Sequence, residues 1–433
     1  MGEPAALLVE HAAELTTLAG PPGARRGRAQ GEVGAVADGA VAVSADGRIL
    51  AAGPTEAVRA ALRLGPGARV IDASGRAVLP GFVDAHTHAV FAGDRVDEFE
   101  LRLRGADYLE ILAAGGGILS TVRATRAASA EALAARTAGF LESMLLLGAT
   151  TVEIKSGYGL STAEELKQLG VVRALRGRVP HTLVATLLAA HALPPEHRDA
   201  PDGYVRLVCE ETIPAAAAAG LAGFCDVFCE RGVFSVEQSR RVLRAGLAHG
   251  LRPKLHAEQK SRSGGAGLAA ELGAASADHL EYAEEEDLVG LAAAGTVAVL
   301  LPGAALMLRE ERVAPARRMV ELGVPVALAT DFNPGTCPIR SVPVVIGLAC
   351  LRLGLSPAEA LVAATINAAC AIGLGDEVGS LEPGKRADLL VLDAPSYRHI
   401  PYQLATNLVR TVVKDGRVVV EDGRRVDGAD VAC

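Results

Sequence analysis

From about residue 40 the chain alternates apolar and polar positions over short spans. VAVSADGRILAAG is followed by ARVIDASGRAVLPG, each broken by Asp-Gly, Ser-Gly or Pro-Gly pairs that suit tight turns. Both spans are predicted hairpins. The C-terminal stretch repeats the style in GSLEPGKRADLLVLDAP and NLVRTVVKDGRVVVEDG, with a further tight turn at Lys414-Asp415-Gly416. Between these β-rich ends the pattern changes. Apolar β-branched runs alternate with helical stretches rich in Ala, Leu, Glu and Arg, as in βα units around a parallel sheet.

Eight candidate strands can be marked in that middle region. They end near His86 (VLPGFVDAH), Lys155 (TTVEIK), His191 (LVATLLAAH), Glu230 (CDVFCE), Glu258 (RPKLHAE), His279 (AASADH), Pro302 (TVAVLLP) and Asp331 (PVALATD). Eight strand–helix repeats predict an α/β fold of the TIM (β/α)8 barrel type, with chemistry at the carboxyl ends of the strands. His86, His88, Tyr158, His191, His256, His279 and Asp331 all finish or follow a candidate strand. Histidines scattered for structural reasons would not collect there.

Composition narrows the class. With 433 residues, half of them apolar, the chain can bury a large core and a smaller second one. A charged fraction of 22% and a net charge of −8 exclude both disorder by charge and a basic nucleic-acid footprint. No basic and apolar leader and no apolar run of membrane-spanning length is present, so a protein of the cytoplasm without membrane attachment is expected. Ala6 stands where a myristoylation signal needs Ser or Thr. The seven cysteines, Cys209, Cys225, Cys229, Cys337, Cys350, Cys370 and Cys433, lack paired Cys-x-x-Cys spacing, which points to a reducing compartment. Cys225 and Cys229 read as core thiols of a buried strand.

His86 and His88 are two apart on an expected strand, so both imidazoles face one side and can share a metal. His256 in KLHAEQK supplies a third nitrogen, and Asp331 in ALATDFNPG supplies an oxygen. Such a set suits one divalent metal, zinc or iron, with a coordination position left for water. His279 in SADHLEY is placed to hydrogen-bond that water or the reacting carbonyl, and is assigned to proton transfer.

PGFVDAHTH with the spaced His and Asp residues resembles the amidohydrolase superfamily over nearly the whole chain. That resemblance implies a barrel joined to a small β-sandwich built from both chain ends, divided as residues 1–76, 77–372 and 373–433. The segments FAGDRVDEFELRLRGADYLEILAAGGGILSTVRATR, EIKSGYGL, AAHALPPE, KLHAEQ, SADHLEY and TDFNPGT are similar to the imidazolonepropionase family within it. The resemblance implies hydrolysis of 4-imidazolone-5-propanoate to N-formimidoyl-L-glutamate in histidine degradation. It assigns His86, His88, His256 and Asp331 to metal, and Arg95, Tyr158, His191, Asn333, Gly335 and Thr336 to substrate or product.

Each role has a physical counterpart. Arg95 can pair a propanoate carboxylate and Tyr158 can hydrogen-bond it; the alternative for Arg95 is an ion pair with Asp94, Asp97 or Glu98. His191 is expected to donate to the oxyanion, or else to be a buried structural imidazole. Gly115-Gly116-Gly117 suggests a loop that covers substrate, with Ser120, Thr121 and Arg123 nearby. Family members often carry an acidic pair after the third His, whereas here Gln259 occupies the third following position. Gln259 can hydrogen-bond the ring amide but cannot carry a proton, and Glu258 is expected on the opposite strand face. Catalysis is therefore assigned to His279, Asp331 and His191 around water activated by the metal.

Two other readings share much of this sequence. One is another cyclic-amide hydrolase, or an aminohydrolase of the cytosine or guanine deaminase kind; the other is a non-enzymatic scaffold. A two-metal site bridged by a modified lysine on the fourth strand is disfavoured, because CDVFCERG has no Lys. A homodimer is expected on the general frequency of two-fold assemblies.

Overall fold

The structure is a computed structural model that describes residues 3–105, 110 and 116–426. Gly115 and Cys433 lie outside the described residues. Eight parallel strands, labelled here in chain order, form the central sheet: β1 (Phe82–Asp84), β2 (Ala149–Lys155), β3 (Thr182–Ala190), β4 (Phe224–Cys229), β5 (Arg252–Ala257), β6 (Ser276–His279), β7 (Val297–Leu300) and β8 (Val326–Leu328). Each pairs with the next in sequence. Their apolar runs reflect burial on both faces, as parallel strands wrapped by helices require.

The predicted strand ends hold to within three residues; β7 ends two residues early, and β1 and β8, at the two edges of the sheet, end two and three residues early. The two edge strands end early because the chain closes the barrel there by other means. Asp331 N–H donates to His86 O at 3.0 Å and His88 N–H to Phe332 O at 2.8 Å. Asp84 accepts from Thr330 N at 3.0 Å and Thr330 Oγ1 at 2.6 Å. His86 and His88 thus sit just past β1 on the seam of the barrel.

The remaining strands form two terminal sheets. One orders Ile49–Pro54, Gly39–Val43, Ala5–Ala12 and Leu64–Asp72; the other orders Arg424–Arg425, Arg417–Glu421, Val409–Lys414, Leu389–Leu392, Ala77–Pro80, Glu14–Thr16 and Ala35–Val36. The second sheet mixes both chain ends, with Ala77–Pro80 between Leu389–Leu392 and Glu14–Thr16. Leu7, Val9, Val41, Ile49, Leu389 and Val413 share one apolar cluster between the sheets. The turn at Asp415-Gly416 is a hairpin with both φ angles positive, +48° and +75°.

The expected hairpin over residues 68–81 does not form. Leu64–Asp72 pairs with Ala5–Ala12 in the first sheet, while Ala77–Pro80 lies in the second. Leu64–Asp72 is mostly exposed, whereas Ala77–Pro80 is buried throughout, so the two strands serve different layers. From Pro80 the chain crosses into the barrel at Gly81. Among the described residues, no helix is long and apolar enough to cross a membrane.

Candidate active site

Three imidazoles and a carboxylate converge at the carboxyl end of the barrel. His86 Nε2 and His88 Nε2 are 3.3 Å apart, and His256 Nε2 is 3.4 Å from His88 Nε2. Asp331 Oδ1 lies 3.5 Å from His86 Nε2 and 3.6 Å from His88 Nε2. All four side chains are buried. A tetrahedral ion with bonds of about 2.1 Å separates its ligands by roughly 3.4 Å, so His86, His88 and Asp331, whose donor atoms all lie within 4.8 Å of one another, fit positions on a divalent metal, with His256 beside them through His88. Burial holds His86 and His88 well below the usual imidazole range, which keeps them neutral as ligands must be. It pushes Asp331 up to about 6 against the pull of His279 and His256.

The orientation of two of these rings comes from residues the sequence reading overlooked. His86 Nδ1–H donates to Asp278 Oδ2 at 2.6 Å, and His256 Nδ1–H donates to Asp226 Oδ1 at 3.2 Å. With the proton on Nδ1, Nε2 presents its lone pair to the site. Lys155 Nζ meets Asp226 at 2.8 Å, Glu153 at 3.0 Å and Asp278 at 3.4 Å. Lys254 Nζ and Thr186 Oγ1 complete the partners of Glu153, at 2.8 and 2.5 Å. The signal was present as charged residues inside strands that must be buried on both faces.

The backbone is left-handed at three strand ends around the cluster: Glu258 (φ +53°), His279 (φ +80°) and Asp331 (φ +53°). Such conformations cost about 1–3 kcal/mol each and gather at functional sites. A nitrogen of His279 lies within 4.8 Å of one on His86 and one on His256, close enough for a metal or its water. Its Nδ1 faces Glu281 Oε2 at 3.9 Å, beyond hydrogen-bond length, and neither atom has a hydrogen-bond partner among the described residues. Burial lowers the His279 pKa, but Glu281, Asp331 and Asp278 outweigh it and raise the value overall.

His191 stacks on His88 with ring centroids 4.9 Å apart, and its Nδ1–H donates to Gly157 O at 3.0 Å. A carbonyl only accepts, so Nδ1 carries the proton. Burial drops the His191 pKa to about 3, which leaves the ring neutral and Nε2 an acceptor. In this tautomer Nε2 receives a hydrogen bond, and donation to an oxyanion would require the doubly protonated ring. The loop that supplies Gly157 O is shaped by buried Glu165, whose carboxylate accepts from Gly157 N, Gly159 N and Leu160 N at 2.7–2.9 Å. Tyr158 is buried between His88 and His191, and burial raises its phenol pKa so that it stays a donor.

Arg95 is held by Glu98, with Nε at 2.8 Å and Nη2 at 2.5 Å from its two oxygens. Nη1 lies against Gly335, where any Cβ would collide with the guanidinium. Asn333 orders the loop that follows β8. Its amide is spent on the loop, reaching Asp331 O, Thr336 Oγ1, Gly335 N and Thr336 N at 2.7–2.9 Å. Asn333 and Thr336 thus shape the turn that seats Gly335 under Arg95.

Glu258 does not reach the site. It accepts from Ser263 N, Ser263 Oγ, Gly264 N and Ala266 N at 2.6–3.0 Å. Gln259 and Glu281 line one small cavity of about 10 Å³, near the size of one water. Ser120 Oγ donates to Gly117 O at 2.9 Å, fixing the start of helix Ile118–Ala127. Cys225 and Cys229 are buried free thiols, as expected of a core strand.

Comparison with known proteins agrees with this geometry. The amidohydrolase family model matches residues 255–419. Imidazolonepropionase from Symbiobacterium thermophilum is 55% identical over 97% of this chain and 99% of its own. The protein of the same name from Geobacillus kaustophilus is 51% identical over 96% and 99%. Among solved structures, a zinc-bound adenosine deaminase from Xanthomonas campestris superposes with a TM-score of 0.73 at 22% identity, covering 99% of this chain and 96% of that one. Guanine deaminase from E. coli gives 0.69 at 16% identity, with coverage of 96% and 98%. At these identities the deaminases establish the shared fold alone.

Proposed function

The chain belongs to the imidazolonepropionase family of amidohydrolases, and on that premise we propose that it hydrolyses the ring amide of 4-imidazolone-5-propanoate to N-formimidoyl-L-glutamate in histidine degradation. It is a hydrolase of carbon–nitrogen bonds in cyclic amides. The observation that carries the reading is the convergence of His86, His88 and His256 Nε2 with Asp331 Oδ1.

In this reading those four residues hold one divalent ion, zinc or iron. When bound, the ion acidifies a water molecule and polarises the reacting carbonyl. Asp331 and His279 take and redistribute the water's proton, with Glu281 supplying the charge that favours a protonated His279. His191 Nε2 accepts a ring N–H, which orients the amide, and Gln259 hydrogen-bonds the same ring. Arg95 still has Nη1 for the propanoate, and Tyr158 donates its hydroxyl to that carboxylate. Asn333, Gly335 and Thr336 keep the guanidinium in place. We extend the reading to a cytoplasmic homodimer with a composite small domain built from both chain ends; the first boundary moves from 76/77 to 80/81, because Ala77–Pro80 pairs within the terminal sheet, and the second stays at 372/373.

Single turnover in ¹⁸O-water tests the chemistry. The proposal expects one labelled oxygen in the new carboxylate of N-formimidoyl-L-glutamate. Release of ammonia with the ring intact would instead indicate an aminohydrolase.

A further inference from the structure

Lys155 is fully buried at the end of β2 and touches the carboxylates that orient two imidazoles from opposite sides of the barrel. Asp278 grips His86, just past β1; Asp226 grips His256, on β5. Lys155 Nζ reaches both, at 3.4 and 2.8 Å, and Glu153 at 3.0 Å. The group also includes Lys254, so two ammonium and three carboxylate groups stand together where no side chain is exposed.

A buried ion cluster of this kind contributes little net stability compared with apolar packing, because desolvation offsets attraction. Its geometry, however, has a directional effect. On Asp226 the ammonium holds Oδ2 and leaves Oδ1 to the His256 Nδ1–H, whereas on Asp278 the ammonium and the His86 Nδ1–H meet the same oxygen, Oδ2. Burial disfavours charge on Lys155, yet Asp226, Glu153 and Asp278 together raise its pKa, so it remains an ammonium. Lys254, by comparison, meets Glu153 and Ala85 O, and neither orients an imidazole.

We propose that Lys155 is a positioning residue for the metal centre: by bridging Asp226 and Asp278 it couples the orientations of His256 and His86, so both present Nε2 at once. The inference rests on the metal-ligand assignment made above. Without Lys155 the two carboxylates lose their common partner and repel, so the imidazoles they hold are no longer fixed in tilt relative to one another.

Cobalt(II) binding to the chelator-stripped full chain tests this, read by the visible d–d spectrum and by competition for affinity. For Lys155→Met the expected result is a weakening on the order of ten- to a hundredfold with an altered band pattern, the usual scale for losing an outer partner of a ligand. Glu153→Gln/Lys155→Met retains the net charge of the cluster and serves if the single variant fails to fold; it should fold yet keep the altered spectrum. Wild-type affinity and spectrum in either folded variant would overturn the proposal. His86→Ala separates the premise from the inference. If that variant binds cobalt like the wild type, the ligand assignment fails; if it loses binding while Lys155→Met does not, only the role of Lys155 fails.

Discussion

His191 Nδ1 lies 3.0 Å from the carbonyl oxygen of Gly157, and Gly157 adopts φ +115° with no room for a side chain, since a Cβ would fall 2.7 Å from that same nitrogen. The glycine therefore sets both the place and the tautomer of the imidazole. Gly157→Ala is expected to fold with its metal but to lose about a hundredfold in kcat/KM, the scale of a misplaced orienting group. Steady-state kinetics alongside metal analysis checks it, and unchanged kinetics would remove His191 from the substrate contacts.

Arg95 and Glu98 form a bidentate pair with side chains only 11% and 8% exposed. Arg95→Ala should raise KM by roughly 10–100-fold with a smaller effect on kcat, as for a contact made equally in ground and transition states. It should also destabilise by about 1–3 kcal/mol, because Glu98 is left without its cation. Arg95→Ala/Glu98→Gln should recover the stability and not the KM. Recovery of both would mean that Arg95 serves only the ion pair.

His279 carries the pH prediction. Its pKa is raised by Glu281, Asp331 and Asp278 in spite of burial, so losing the Glu281 charge should lower it. If neutral His279 accepts the proton of water, activity appears as pH rises through that pKa. Glu281→Gln should then move the acidic limb of the kcat profile to lower pH. His279→Ala should keep its metal and lose on the order of a hundredfold or more in kcat. A metal-free His279→Ala protein would make His279 a ligand.

Much of this site was legible because a parallel barrel places strand ends together, so His86, His256, His279 and Asp331 could be grouped from their position after apolar runs. Asp226, Asp278, Lys155 and Glu153 were hidden by the same logic. In TTVEIK and CDVFCE the charged positions look like the polar face of a strand, and only the closed barrel makes that face a buried interior. The part Asn333 plays within its own turn was hidden for a different reason: a loop amide can face substrate or its own turn, and residue type does not distinguish them. The 68–81 hairpin failed because a Ser-Gly turn reports a reversal of direction without saying which sheet receives each strand.

His181, next to β3, is buried with no hydrogen-bond partner for either ring nitrogen among the described residues. Burial, with Lys414 and Arg425 nearby, lowers its pKa from 6.5 to about 3. The folded state thus binds this proton more weakly than the unfolded one. Its stability contribution is complete above pH 6.5 and is lost progressively as pH falls towards 3. His181→Leu should flatten the fall in Tm between pH 6.5 and 4.5 relative to wild type. Parallel Tm–pH curves for the two proteins would exclude His181 as a source of acid sensitivity.

The central claim is the ring amide of 4-imidazolone-5-propanoate as the bond cleaved at the His86–His88–His256–Asp331 centre. The most direct measurement is kcat/KM of the metal-loaded protein on that compound beside cytosine, guanine and dihydroorotate, repeated with Asp331→Ala. The account predicts efficient conversion of the imidazolone alone, to N-formimidoyl-L-glutamate, and nearly complete loss in the variant. Faster release of ammonia from cytosine or guanine, or undiminished turnover by Asp331→Ala, would contradict it.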